Sequence, residues 1–187
     1  MTVLPIRITG EPVLHQSASE VQEISAEVKK LIQDMFDTMD KAPGVGLAAP
    51  QVGIGLRIFV FDYEVEDTRF RDVAINPVLE IEPYEEEDPD EDLEVEGCLS
   101  IPGERFPLKR SPKVVLKAFD EAGEPYEIAA EGWLARIFQH EFDHLNGTLY
   151  ADRLMEPYDS EALAVIEENG WGDSGNSWMP GVDYLEP

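Results

Sequence analysis

The chain has 187 residues, enough for one domain with a substantial core and too few for two ordinary ones. It carries 40 acidic against 14 basic residues, a balance that repels nucleic-acid phosphates and anionic lipid surfaces where no basic cluster offsets it, and none is visible. A single cysteine, Cys98, excludes an internal disulfide and suits a reducing compartment. No apolar run reaches the roughly 20 residues of a membrane span, so the expectation is a cytoplasmic protein bound neither to membrane nor to nucleic acid.

Residues 1–23 read as a short extended opening and a polar loop. A helix follows, because Ile24, Val28, Leu31, Ile32, Met35 and Met39 recur at helical spacing and Ser25 is placed to cap it. Lys41 to Gly55, K-A-P-G-V-G-L-A-A-P-Q-V-G-I-G, has too many small residues and prolines for an ordinary helix and permits close backbone approach to a ligand. It lacks the Lys-Ser/Thr ending of a phosphate loop, and Gln51 is its one polar side chain with reach.

Leu56–Phe61, Val73–Ile75 and Val78–Ile81 read as short strands, separated by the polar stretch 62–72 and by Pro77. Glu82–Glu96 is a run of carboxylates expected to form a solvated, mobile loop. It lacks the spaced Asp/Asn and glycine of a calcium-binding loop. Next comes E-G-C-L-S around Cys98, then a hairpin from Val114–Phe119 and Tyr126–Ala129 about Glu121-Ala122-Gly123. After Met155 the apolar residues scatter among Gly, Asp, Ser and Pro. Residues 1–155 therefore read as the main domain, and 156–187 as an acidic tail of unknown role, packed on it through Trp171 and Trp178 or partly disordered.

The hairpin leads into a helix from Trp133, whose broad apolar face includes Leu134, Ile137, Phe138, Phe142 and Leu145, with Asn146-Gly147 as its stop. Arg136, Gln139 and Asp143 fall opposite that face. On its flank His140 and His144, four apart, present two imidazoles one turn from each other, the spacing that grips one metal ion. Glu141 projects beside them, where a general base must stand. Cys98 adds a thiolate, and the Cys-His-His set holds a divalent transition metal with one position open, as catalytic sites require. Such an ion lowers the pKa of bound water from about 15.7 toward about 7. Glu141 can then take the proton and later return it to a departing amine. Gln51 and a backbone N–H just after Cys98 are left as donors to the oxyanion.

Three segments, G-V-G-L-A-A-P-Q at 44–51, E-G-C-L-S at 96–100 and H-E-F-D-H at 140–144, resemble in order and spacing the three signatures of the peptide deformylases. That family removes the formyl group from the N-terminal formylmethionine of newly made proteins. The resemblance runs to about Met155 and implies an α+β fold, with antiparallel β-sheets wrapped around a central helix carrying the histidines. It implies Cys98, His140 and His144 as ligands of one divalent ion, natively Fe2+ and replaceable by Ni2+, Co2+ or Zn2+. It further implies Glu141 as acid/base and Gln51 with the Leu99 amide on the formyl oxygen. Val45 and Gly46 would pair with an extended peptide, Val45, Trp133, Ile137 and the stem of Arg136 would line the methionine pocket, and Arg105 would stand near the entrance. The implied partners are N-formylmethionyl peptides of nascent chains, with the ribosome as the place of encounter. The alternative is an H-E-x-x-H zinc peptidase, but its third ligand usually lies downstream and no histidine follows His144.

Overall fold

The computed structural model describes residues 2–85 and 87–186. Met1, Glu86 and Pro187, which belong to the opening, the acidic run and the tail read from the sequence, lie outside the described residues. In chain order the elements are β1 (Ile6–Arg7), α1 (Ala26–Lys41), β2 (Gly46–Ala48), β3 (Ile58–Val65), β4 (Thr68–Ile81), β5 (Val95–Cys98) and β6 (Ile101–Pro107). These are followed by β7 (Lys113–Phe119), β8 (Pro125–Glu131), α2 (Gly132–Leu145), α3 (Tyr158–Glu168) and β9 (Ser177–Trp178). Five strands form one sheet in the order β2-β3-β4-β7-β8, while β5-β6 and β1-β9 are separate antiparallel pairs. Helix α2 packs against β2, β3, β7 and β8 of the five-stranded sheet.

The run Ile58-Phe59-Val60-Phe61 is apolar without interruption because both faces of β3 are covered. Phe59 and Phe61 turn toward α2, and Phe61 meets the Phe138 ring edge-on at 4.9 Å. Ile58 and Val60 turn the other way, onto Ile32, Met35 and Met39 of α1. As the sequence indicates, Ser25 caps α1, its hydroxyl accepting from the Val28 amide at 3.4 Å.

Three readings of the strands need correction. The polar stretch 62–72 is no separator: it forms the outer arms of the β3-β4 hairpin, held outside the core by ion pairs of Asp62 with Arg69 and Arg71. Nor does Pro77 divide two strands, since the register of a continuous β4 shifts there in a bulge. Asn76, at φ 49°, uses its side-chain amide as a strand would use its backbone, accepting from Val21 N at 2.8 Å and donating to Val21 O at 2.9 Å. The third is β6, which sequence pattern does not indicate because Pro102 and Gly103 interrupt its alternation.

The acidic run is exposed and irregular over most of its described length, yet it ends in β5 with Glu96 buried. In α2 the side opposite the apolar face is not solvated either: Arg136, Gln139 and Asp143 are all buried and paired. The segment after Met155 contains a helix, α3, and β9, which pairs with β1 through Ile6 and Trp178. No helix among the described residues is long and apolar enough to cross a membrane.

Trp178 is 3 % exposed and its indole N–H donates to the Leu99 carbonyl at 2.8 Å, so the tail is fastened to the segment that follows Cys98. Replacing a buried tryptophan by alanine removes its packing and opens a cavity, at a cost of about 3–5 kcal/mol. Trp178→Ala is therefore expected to lower the urea midpoint by that amount of stability, and a loss below about 1 kcal/mol would show that the anchor is not structural.

Candidate metal centre

Strand β5 and helix α2 build the site from two different periodicities. Along β5 alternate residues share a face, so Glu96 and Cys98 both point inward while Val95 and Gly97 are less covered. Along α2 the four-residue step brings His140 and His144 to the same side, with ring centroids 4.9 Å apart. The result is a buried triad: Cys98 Sγ lies 3.3 Å from His144 Nε2, which lies 3.2 Å from His140 Nε2. One donor atom from each residue falls within 4.8 Å of the other two.

Bonds of about 2.1 Å to nitrogen and 2.3 Å to sulfur place tetrahedral ligands roughly 3.3–3.6 Å apart, within a few tenths of an ångström of these separations. The donor set is the one transition metals prefer, and its surroundings fit. His140 turns its other nitrogen, Nδ1, toward Glu96 at 3.6 Å, the carboxylate partner that aims Nε2 inward. The residues present therefore form a metal-binding site. Its third ligand comes from an upstream strand rather than from downstream of the helix, unlike the peptidase alternative.

Glu96 is not isolated. Arg110 grips it with two nitrogens, Nε at 2.8 Å and Nη2 at 2.9 Å, and extends Nη1 to Asp143 at 2.8 Å. Arg153 in turn binds Asp143 through two contacts of 2.6 Å. Two carboxylates and two guanidiniums compensate one another, with Glu96, Arg110 and Asp143 buried and Arg153 reaching solvent. Burial opposes the charge on Glu96, but Arg110 and His140 outweigh it and hold the carboxyl down at about 2. Burial also opposes charge on both rings. For His140 the neighbouring sulfur and carboxylate prevail and raise it, whereas His144, beside His140, is pushed well down.

Glu141 stands apart from that network, with Oε2 buried and without a hydrogen-bond partner among the described residues. Burial raises its carboxyl to about 7. The backbone of β2 passes so close that a Cβ at Gly46 would collide with this carboxylate, which explains a glycine at 46 independently of any ligand. Gln51 follows in a tight turn after β2. Its Oε1 accepts from the Ala48 amide at 2.8 Å, which turns Nε2 toward Ser100 Oγ at 3.4 Å and Cys98 Sγ at 3.8 Å.

These groups line a cleft of about 210 Å³. Of the residues singled out in the sequence, all but His144 border it: Cys98, His140, Glu141, Gln51 and Leu99 at the inner end, with Val45, Gly46, Arg105, Trp133 and Ile137 around them. His144 lies behind His140, 1 % exposed. Arg136 lines the cleft too. Its guanidinium stacks 5.2 Å from the Trp133 ring and donates to the Leu108 carbonyl at 2.6 Å. Sequence reasoning missed Arg110 and Arg153, which carry no local pattern, and Glu186, which borders the cleft from the tail. It also set Glu96 in the solvated run, although the two-residue spacing from Cys98 marks it as facing inward.

Residues 3–159 match the model of the polypeptide deformylase family. The chain is 49% identical over 193 residues to the peptide deformylase of Tropheryma whipplei (strain TW08/27), spanning 95% of this chain and 94% of that one. It is 48% identical to that of Rhodococcus opacus (strain B4), over 97% and 95% of the two chains. Among solved structures, the peptide deformylase from Synechococcus elongatus in complex with actinonin superposes with a TM-score of 0.77 at 39% identity, covering 90% of this chain and 86% of that one. The enzyme from Legionella pneumophila gives 0.76 at 38% identity, covering 90% and 95%. A match of this length and closeness, in sequence and in fold, makes the chain a member of the polypeptide deformylase family.

Proposed function

We propose that the chain hydrolyses the N-formyl group of formylmethionyl peptides, with Cys98, His140 and His144 holding the metal, Glu141 moving the proton, and Gln51 and the Leu99 amide receiving the formyl oxygen. The observation that carries this is the placement of a buried carboxylate, Glu141, beside a three-donor site that opens on a cleft. The reaction consumes one water: its oxygen joins the formyl carbon, the C–N bond breaks, and formate leaves the peptide with a free amine.

When bound, the ion supplies Lewis acidity and brings the pKa of water to about 7. The residues supply the rest. Glu141 takes the water proton and delivers it to the amine nitrogen as the C–N bond opens. Burial raises this carboxyl, which favours its return of the proton, while the charge of the ion beside it would favour the carboxylate that takes the proton. Gln51 is held by the Ala48 amide, so its donor is oriented before substrate arrives and needs no reorganisation. Gly46 of β2 and Val45 just before it offer backbone to an extended peptide. Val45, Trp133, Ile137 and the stem of Arg136 give the methionine side chain an apolar wall, and Arg105 stands near the entrance.

Ferrous iron is the proposed ion in the cell, with nickel, cobalt and zinc able to replace it, since thiolate and imidazole donors suit all four. The proposed setting is the cytoplasm, where nascent chains emerge from the ribosome. Residues 1–155 are proposed as the catalytic unit.

The reading is tested by comparing a formyl-Met dipeptide with an N-blocked peptide cleavable only internally. Hydrolysis of the first alone is expected, and hydrolysis of the second alone would assign the chain to the peptidases. Glu141→Gln is expected to keep the metal and lose about 10²–10⁴-fold in kcat, and turnover at the parental rate would remove the proton transfer from Glu141. Glu96→Gln, which weakens the support of His140, is expected to lower metal affinity about 10–100-fold by competitive chelation. An unchanged affinity would show that the carboxylate does not support the ligand.

A further inference from the structure

Glu186 carries none of the motifs that mark the cleft, yet it borders it. It arrives from the segment after β9 and crosses the edge of β6, where its Oε1 accepts from the Gly103 amide at 3.1 Å. Gly103 has φ +82°, and a Cβ there would stand 3.1 Å from the Leu185 carbonyl, so the strand edge is shaped to let this segment pass. The other oxygen, Oε2, faces the Arg105 guanidinium at 3.8 Å. That separation lets the two charges compensate without a locking hydrogen bond. The Glu186 side chain is 8 % exposed and that of Arg105 57 %, so the carboxylate is the sheltered member and the guanidinium the solvent-facing one.

The pair sits outward from the metal ligands. Arg105 lies opposite Gly97 in the β5-β6 register, one residue before Cys98, and its stem packs over that glycine. Deeper charges of the cleft are engaged elsewhere, Glu96 by Arg110 and Arg136 by the Leu108 carbonyl and Glu94. The Arg105–Glu186 pair therefore sets the charge at the mouth, where residues beyond the first one leave the cleft.

We infer that Glu186 is a specificity-determining residue: it compensates Arg105 at the mouth and keeps the site from favouring peptides with acidic side chains after the formylated residue. The inference rests on the deformylase reading given above. Its test measures kcat/KM of the metal-loaded parent, Glu186→Gln and Arg105→Gln with formyl-Met-Glu-Glu, formyl-Met-Ala-Ala and formyl-Met-Lys-Lys. Glu186→Gln is expected to raise the Glu-to-Lys ratio about two- to fivefold and Arg105→Gln to lower it, as for partly exposed charges. Both shifts should vanish in 1 M salt, where the Debye length is about 3 Å. Glutamine keeps the acceptor for Gly103, so a purely structural role would leave the ratio where it was. A parental ratio in Glu186→Gln, an equal loss on all three peptides, or a shift that survives high salt would overturn the inference. A parent that leaves formyl-Met-Ala-Ala intact would instead overturn the deformylase reading itself.

Discussion

Three donor atoms are held together here, out of water. A sulfur and two imidazole nitrogens lie 3.2–3.3 Å apart in sequence along the triad, and all three residues are buried. Buried polar groups cost free energy unless they find partners, and His144 Nδ1 has none among the described residues. The chain supports two of the donors, and the helix that carries the histidines, from behind. Glu96 orients His140, the Ser100 amide donates to Cys98 Sγ at 3.4 Å, and the Phe138 side of α2 is locked into the sheet. Arg110 and Arg153 then neutralise the carboxylates Glu96 and Asp143. The metal site is in this sense the end point of an ionic network spanning β5, α2 and the loops after β6 and α2, buried except at Arg153.

Two consequences follow for the layout of the fold. Helix α2 must be covered on every side: its apolar side by the five-stranded sheet, its polar side by Arg110 and the Ser111 backbone, which Gln139 both donates to and accepts from. A solvated helix would leave the histidines wet and the network screened. The cleft, in turn, can open only between β2 and β5, where Gly46 and Gly97 bring backbone rather than side chains toward the centre. Glycine at 46 has a steric cause in the buried neighbour Glu141, while at Gly97 the Arg105 side chain lies 3.2 Å from where a Cβ would stand.

Much of this is legible from residue order alone. The 3.6 period of Ile24 to Met39 and of Trp133 to Leu145 exposes both long helices, and the sole cysteine with paired histidines exposes the metal site. What stays hidden depends on partners distant in sequence. Asp62, Arg69 and Arg71 look like loop residues until a hairpin brings them face to face. Arg136 and Asp143 look solvent-facing until Glu94, Arg110 and Arg153 are seen to meet them. The tail is the clearest case. Trp178 and Glu186 act on Leu99 and Arg105, roughly eighty residues upstream, a separation at which periodicity carries no signal.

The account stands on Cys98 as a ligand in common with His140 and His144. X-ray absorption of the protein purified without oxygen tests it most directly, because the first coordination shell reports sulfur and nitrogen separately. One sulfur at about 2.3 Å together with nitrogen ligands near 2.1 Å is expected. A metal shell containing nitrogen and oxygen but no sulfur would contradict the account.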